Sequence, residues 1–147
     1  MITVLLVDDH AYIRKGIRYL LAATGDIEVV ATAANGIDAI IKARSLRPDI
    51  VIMDLSMPFV DGLEATRQIR MDCPRARILT LSLHGDPEYV KRSLEAGAHG
   101  YVLKEKVTSE LLDAIRSLYS GSRYFSEKIA RVIELPSLAG DEDSRAA

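Results

Sequence analysis

The run Ile50-Val-Ile-Met53 has no polar face, and it stops abruptly at Asp54. A short apolar run bounded by turn formers suits a strand buried on both faces of a sheet. Such a strand needs helices above and below it, which restricts the fold to a layered α/β design. Pro58, Asp61 and Gly62 then redirect the chain before the next helical pattern begins. In open α/β sheets the ligand crevice lies outside the carboxyl ends of the strands. Asp54 sits where such a sheet does its chemistry.

The same rhythm recurs along the chain. Residues 2–7 are a second apolar run, ending in Asp8 and Asp9. Residues 12–22 then place Ile13, Ile17, Leu20 and Leu21 on one helical face, with Arg14, Lys15 and Arg18 pointing away. A strand is expected over 27–33 and a helix over 36–45, with Pro48 as its stop. A third helix covers 63–71, and a fourth strand, 78–83, ends in Ser82 and Leu83. Pro87 opens the next helix and Gly97 closes it. Residues 100–103 form a fifth strand with Lys104 at its end. The helix over 108–119 turns Leu111, Leu112, Ile115 and Leu118 inward, with Thr108 as N-cap. Strand and helix thus alternate five times, the pattern of βα units in a parallel sheet with helices on both faces.

After Gly121 the rhythm breaks. Ser126 can cap one more short helix, in which Ile129, Val132 and Ile133 share a face, and Pro136 ends it. The last residues are polar and tail-like. The division expected is a compact domain over 1–121 and a linker-like helix with a polar tail over 122–147.

Bulk properties remove several classes of function. With 147 residues, 48% of them hydrophobic, the chain can bury a core. A net charge of −2 and a pI near 5.9 leave no global basic footprint for nucleic acid. A single cysteine, Cys73, excludes an internal disulfide framework and a cysteine-built zinc cage. No apolar run reaches membrane-spanning length, and Met1 leads straight into a strand, so a soluble, cytoplasmic protein is expected.

Right-handed crossovers keep the strands parallel, so their carboxyl ends share one edge. Asp8, Asp9, Asp54, Ser82 and Lys104 all fall on that edge. Clustered carboxylates repel one another unless a cation compensates, and Mg²⁺ prefers oxygen ligands while keeping several waters. An acidic pocket with a lysine and a hydroxyl suits a phosphoryl group. Asp54 can attack it, while Lys104 and a metal offset its charge and Ser82 donates a hydrogen bond.

In this order and spacing, four segments resemble the receiver domain of a two-component response regulator. They are Val7-Asp8-Asp9-His10, Asp54-Leu-Ser-Met-Pro58 with Asp61-Gly62, Leu81-Ser82, and Ala96-Gly-Ala-His-Gly-Tyr-Val-Leu-Lys104. The resemblance covers residues 2 to about 120. It implies a doubly wound, flavodoxin-like (βα)5 fold with a five-stranded parallel sheet in the order 2-1-3-4-5. It also implies roles for single residues. Asp54 is the phosphoacceptor, served by a histidine kinase or a small acyl phosphate. Asp8, Asp9, Asp54 and the backbone carbonyl of Ser56 hold Mg²⁺. Lys104 pairs with the phosphoryl group, Ser82 is the switch hydroxyl, and Tyr101 is the aromatic switch. The chain itself is then not an enzyme.

Many receivers place a proline, with a cis peptide, after the lysine, where this chain has Glu105. A cis bond without proline costs roughly 3 kcal/mol, which leaves the loop geometry open. Glu105, His10 and residues 81–90 resemble the NarL/FixJ subfamily, whose members carry a LuxR-type DNA-binding domain. None is present in these 147 residues. The resemblance therefore implies a transcriptional regulator's regulatory part, self-associating through a helical face and meeting DNA only through an output domain. A receiver acting alone by protein–protein interaction is the alternative. An aspartyl-phosphate phosphohydrolase would want a general acid where Ser56 stands, and a cap the loops are too short to build. A cofactor-binding flavodoxin lookalike would meet repulsion from Asp8 and Asp9. His84 and Ser56 occupy positions where receivers tune dephosphorylation.

Overall fold

The computed structural model describes residues 1–55, 57, 61–83 and 85–134. Period-two alternation along the strands builds two separate apolar layers. Val4 and Leu6 of β1 (Ile2–Val7), Ile50 and Ile52 of β3 (Ile50–Asp54), and Leu79 and Leu81 of β4 (Arg77–Ser82) face one side. There they meet Ile17 and Leu21 of α1 (Ala11–Ala22) and Leu111, Ile115 and Leu118 of α5 (Val107–Tyr119). Leu5, Val7, Val51, Met53 and Ile78 face the other side. They pack on Ala39 and Ala43 of α2 (Gly36–Leu46) and on Ala65 and Ile69 of α3 (Gly62–Asp72). Burial on both faces explains why β3 carries no polar residue before Asp54.

The sheet is parallel throughout, in the order β2-β1-β3-β4-β5-β6, with β2 at Ile27–Ala33 and β5 at Gly100–Leu103. The expected five-stranded order is present, and a sixth strand extends it. β6 (Tyr124–Phe125) pairs with β5, setting Gly100 against Tyr124 and Tyr101 against Phe125. Two residues carry no periodicity, which is why sequence reading passes over them. α6 (Glu127–Ile133) follows, and Ile129, Val132 and Ile133 turn toward α4 (Pro87–Ala96) and Tyr101. Ser126 stands at the N-cap, but its side chain bonds no amide of that helix. Residues 135–147, including the expected polar tail, lie outside the described residues.

Helix boundaries follow local chemistry. Asn35 and Asp61 cap α2 and α3 by accepting the amides of Asp38 and Glu64, each at 2.8 Å. Gly97 closes α4 at φ 106°, a conformation that glycine adopts without strain. Thr108 does not cap α5. A 3₁₀ turn at Lys104–Lys106 runs directly into that helix, and the Val107 amide donates to the Lys104 carbonyl, so the first turn needs no side-chain acceptor there. No peptide bond among the described residues is cis, so Glu105 follows Lys104 through an ordinary trans bond. Among the described residues no helix is long and apolar enough to cross a membrane.

His99 ties the α4–β5 connection to the sheet. The Ile78 amide donates to its Nδ1 at 3.0 Å, so that nitrogen must stay unprotonated. Burial, reinforced by the charges of Arg70, Arg77 and Arg123, lowers its pKa from 6.5 to about 4. The unfolded chain therefore takes up this proton first as pH falls. His99 should contribute its full stability above pH 6.5 and lose it progressively down to about pH 4. Urea unfolding midpoints across this window should fall for the parent and fall less for His99→Gln. Parallel curves would contradict the assignment.

Candidate functional site

Register builds the site before any side chain is considered. Val7 pairs with Met53, so the next residues, Asp8 and Asp54, leave adjacent strands side by side. Asp54 pairs with Leu81, and Ser82 pairs with Leu103, which puts Lys104 one residue beyond on the next strand. The four groups share one edge because four parallel strands end there together.

Within that edge the charges interlock. Lys104 Nζ lies 3.1 Å from Asp8 Oδ2 and 3.2 Å from Asp54 Oδ1, with its side chain only 9% exposed. Burial opposes the ammonium charge, but the carboxylates of Asp54 and Asp8 outweigh it and hold the Lys104 pKa above the ordinary lysine value. Asp8 is fully buried and Asp54 is 1% exposed. Although turn formers follow it in the sequence, Asp54 is closed off from solvent at the end of β3. The start of α3 comes so close that a Cβ on Gly62 would lie 2.1 Å from the Asp54 carbonyl oxygen. Only glycine allows that approach. Pro58, one of the residues expected to redirect the chain, lies outside the described residues, as does Ser56 with its carbonyl.

Two residues that sequence reading gave no role complete the acid cluster. His10 donates its amide to Asp8 Oδ1 at 2.8 Å and holds Nδ1 at 3.3 Å from that oxygen and 3.0 Å from Asp9 Oδ1. Arg14, expected to point away, instead donates from Nη1 to the Asp8 carbonyl at 2.6 Å. The signal for Arg14 was available in its spacing, one helical turn after His10 and so close behind the acids, but a helical-face pattern assigns it to solvent. His84 lies outside the described residues.

Asp8, Asp9, His10 and Asp54 offer ligand atoms that all lie within 4.8 Å of one another. Three carboxylates faced by one lysine leave the site short of positive charge. Asp8 Oδ2 and Asp9 Oδ1 are buried, with ionic neighbours in Lys104 and His10 but no well-formed hydrogen bond. Anionic oxygens in this condition fit a hard divalent cation, which supplies the missing charge and accepts oxygen ligands.

On the far side, Ser82 and Tyr101 are both buried, on neighbouring strands. Burial raises the Tyr101 pKa, and the Ser82 hydroxyl pulls in the opposite sense. Two residues earlier on β4, Thr80 shares a 2.6 Å hydrogen bond with Ser93 of α4. That bond ties β4 to α4.

Like charges at the site should show in stability. Asp54→Asn should stabilise the chain by about 1–2 kcal/mol in metal-free buffer, because it removes one buried carboxylate. Added Mg²⁺ should raise the melting temperature of the parent and leave that of Asp9→Asn nearly unchanged. Gly62→Ala should cost roughly 1–3 kcal/mol in urea unfolding, because the new methyl group displaces the Asp54 backbone. An unaffected midpoint would contradict the close approach.

Comparison with known proteins agrees with this geometry. The response regulator receiver domain family model matches residues 4–116. Response regulator UvrY of Escherichia coli (strain K12) is 43% identical over 135 residues, which are 92% of this chain and 62% of UvrY. The chain thus spans less than two thirds of that relative's length. Among solved structures, a LuxR-family two-component response regulator from Aurantimonas sp. SI85-9A1 superposes with a TM-score of 0.85 at 38% identity. That match covers 96% of this chain and 97% of the other. A structure of two RcsB dimers bound to two parallel DNAs matches with a TM-score of 0.82 at 27% identity, over 90% of this chain and 68% of RcsB.

Proposed function

The chain belongs to the response regulator receiver family, and on that premise we propose that Asp54 is the residue that accepts the phosphoryl group. The observation that carries this reading is the position of Lys104, bridging Asp54 and Asp8 in a buried, cation-deficient acid cluster. The donor is the phosphohistidine of a sensor kinase or a small acyl phosphate. An Asp54 carboxylate oxygen attacks phosphorus, and the bond from phosphorus to the leaving imidazole nitrogen or acyl oxygen breaks. The electron pair leaves with that group, and the imidazole takes up a proton from solvent.

Asp8, Asp9 and Asp54 would hold Mg²⁺, together with the Ser56 carbonyl. Bound there, the ion supplies positive charge to the phosphoryl oxygens. Lys104 moves from pairing two carboxylates to pairing the new phosphoryl oxygens, and keeps its proton because their charge favours the ammonium form. Ser82 donates its hydroxyl hydrogen to the same group, and Tyr101 registers the change. The chain is in this reading the substrate of its kinase rather than an enzyme with a diffusible substrate, and it works in the cytoplasm. In a LuxR-type regulator it would control self-association and, through an output domain, binding to DNA. The DNA-bound RcsB dimers support that wider reading.

The test is direct. Incubation with Mg²⁺ and acetyl phosphate should yield one phosphoryl adduct by intact mass. Asp54→Asn should yield none, and chelation of the metal should suppress the adduct in the parent. An equal adduct on Asp54→Asn would overturn the assignment of the acceptor. Turnover of diverse phosphomonoesters would favour a phosphohydrolase.

A further inference from the structure

The acid site occupies the carboxyl edge of the sheet, and the amino edge of the same strands carries the opposite charge. Arg77 opens β4, and Arg123 immediately precedes β6. The register Leu79–Gly100–Tyr124 sets His99 between Ile78 and Arg123 at that edge. Burial and then the charges of Arg70, Arg77 and Arg123 weigh on His99, with no carboxylate among them. Arg47 and Arg75 extend the group toward β3, lining one cavity of about 420 Å³ between the end of α2 and the α3–β4 loop. Asp49 lines it too, but its carboxylate is taken by the amide and hydroxyl of Thr3, at 2.9 and 3.0 Å. Asp72, beside the cavity, pairs with Arg44. Among the described residues, arginine ion pairs engage Arg44, Arg67, Arg92, Arg116 and Arg131, and none of Arg47, Arg70, Arg75, Arg77 and Arg123. Arg47 closes α2 and Arg70 lies in the last turn of α3, where a cation offsets the helix dipole. Arg75, Arg77 and Arg123 lie outside any helix and are left without that reason.

We propose that this arginine edge is a docking surface for the phosphate backbone of duplex DNA, held without reading its sequence. The charged edge stands on the structure alone; the choice of DNA rests on the proposed place of this chain in a DNA-binding regulator. A net charge of −2 gives the whole chain no attraction for nucleic acid. That average hides a molecule with its acids at one end of the sheet and free guanidinium groups at the other. All five positions are arginine, whose planar fork meets two phosphate oxygens at once where an ammonium meets them as a point charge. They span the entries of β3 to β6, a width of roughly 14 Å at about 4.8 Å between strands. Over that length duplex DNA presents on the order of eight phosphates, one per about 1.7 Å of axis. Arg75, Arg77 and Arg123 sit on a loop and two strand entries, not on a helix that could enter the major groove, so the bases stay unread. Docked this way, the chain turns its acid cluster away from the duplex and adds sequence-independent affinity to the base reading of an output domain. This departs from the expectation that DNA is met only through that domain.

Fluorescence anisotropy of a labelled duplex of arbitrary sequence, titrated with the full 147-residue chain, tests the assignment. Binding should appear at about 50 mM salt with a Kd on the order of 10–100 µM. It should weaken on the order of a hundredfold by about 200 mM, the slope of about four phosphate contacts. The triple variant Arg75→Gln, Arg77→Gln, Arg123→Gln should bind on the order of tenfold or more weakly, with a slope shallower by about three. Arg123→Gln alone, at an exposed position, should make the slope shallower by about one and judges the edge even if the triple variant fails to fold. Arg67→Gln, which removes an arginine paired with Glu64, should bind as the parent does. Amide resonances of Arg77, His99 and Tyr124 should move on addition of the duplex, while those of Asp8 and Leu103 stay. No binding at about 50 mM salt, equal affinity of parent and arginine variants, or preference for one sequence would overturn the proposal. So would tighter binding, through the same arginines, of phosphatidylglycerol vesicles or polyglutamate, which would assign the edge to a membrane or an acidic protein. None of these readouts involves phosphorylation, so they judge the edge whether or not Asp54 accepts a phosphoryl group.

Discussion

A lysine buried between two carboxylates is the contact on which this molecule depends. Asp8 and Asp54 are held at the ends of neighbouring strands by the register of a sheet packed between apolar layers, so neither can retreat to water. Without Lys104, two buried carboxylates would face each other uncompensated, a situation proteins normally escape by protonation or unfolding. With it, the cluster is tolerated but still short of positive charge. The two packed layers around the sheet supply the stability that makes this tolerable. The site is kept under electrostatic tension by a scaffold that cannot relax it.

The neighbouring residues make sense as responses to that tension. Arg14 returns from the first turn of α1 to the Asp8 carbonyl, and His10 brackets the oxygens of Asp8 and Asp9. Both bring positive or polarisable groups to the side of the cluster that Lys104 does not face. Gly62 does the reverse by vacating space, letting α3 begin directly against Asp54. Ser82 sits at the boundary, buried at the end of β4 beside the apolar cluster that holds Tyr101 and Leu103.

How far the sequence reveals this depends on range. Ile50-Val-Ile-Met53 and Ile2 to Val7 announce buried parallel strands because burial on both faces leaves no other composition possible. The placement of Asp8, Asp54, Ser82 and Lys104 on one edge follows from that alone, since parallel strands end together. Contacts set by tertiary packing were not legible. Arg14 belongs to the solvent face by helical periodicity, and only the depth of Asp8 below α1 turns it around. Thr108 has the composition of a cap, but the 3₁₀ turn at Lys104–Lys106 had already supplied the acceptor. β6 is too short to show a pattern, and Ser126 looks like an ordinary helix start although its hydroxyl serves a strand. Burial of Asp54 could not be read from a segment rich in turn formers.

The sixth strand also settles how the sheet ends. A parallel sheet that stopped at β5 would present a row of unpaired amides and carbonyls beside Tyr101, and such a row is a template for another chain. β6 pairs with two of the four β5 residues, and Ser126 takes the amide of a third. What remains for an intruding strand is too short to grip. The segment therefore guards the molecule against edge-to-edge aggregation as long as it stays docked, and any condition that frees it reopens an adhesive border.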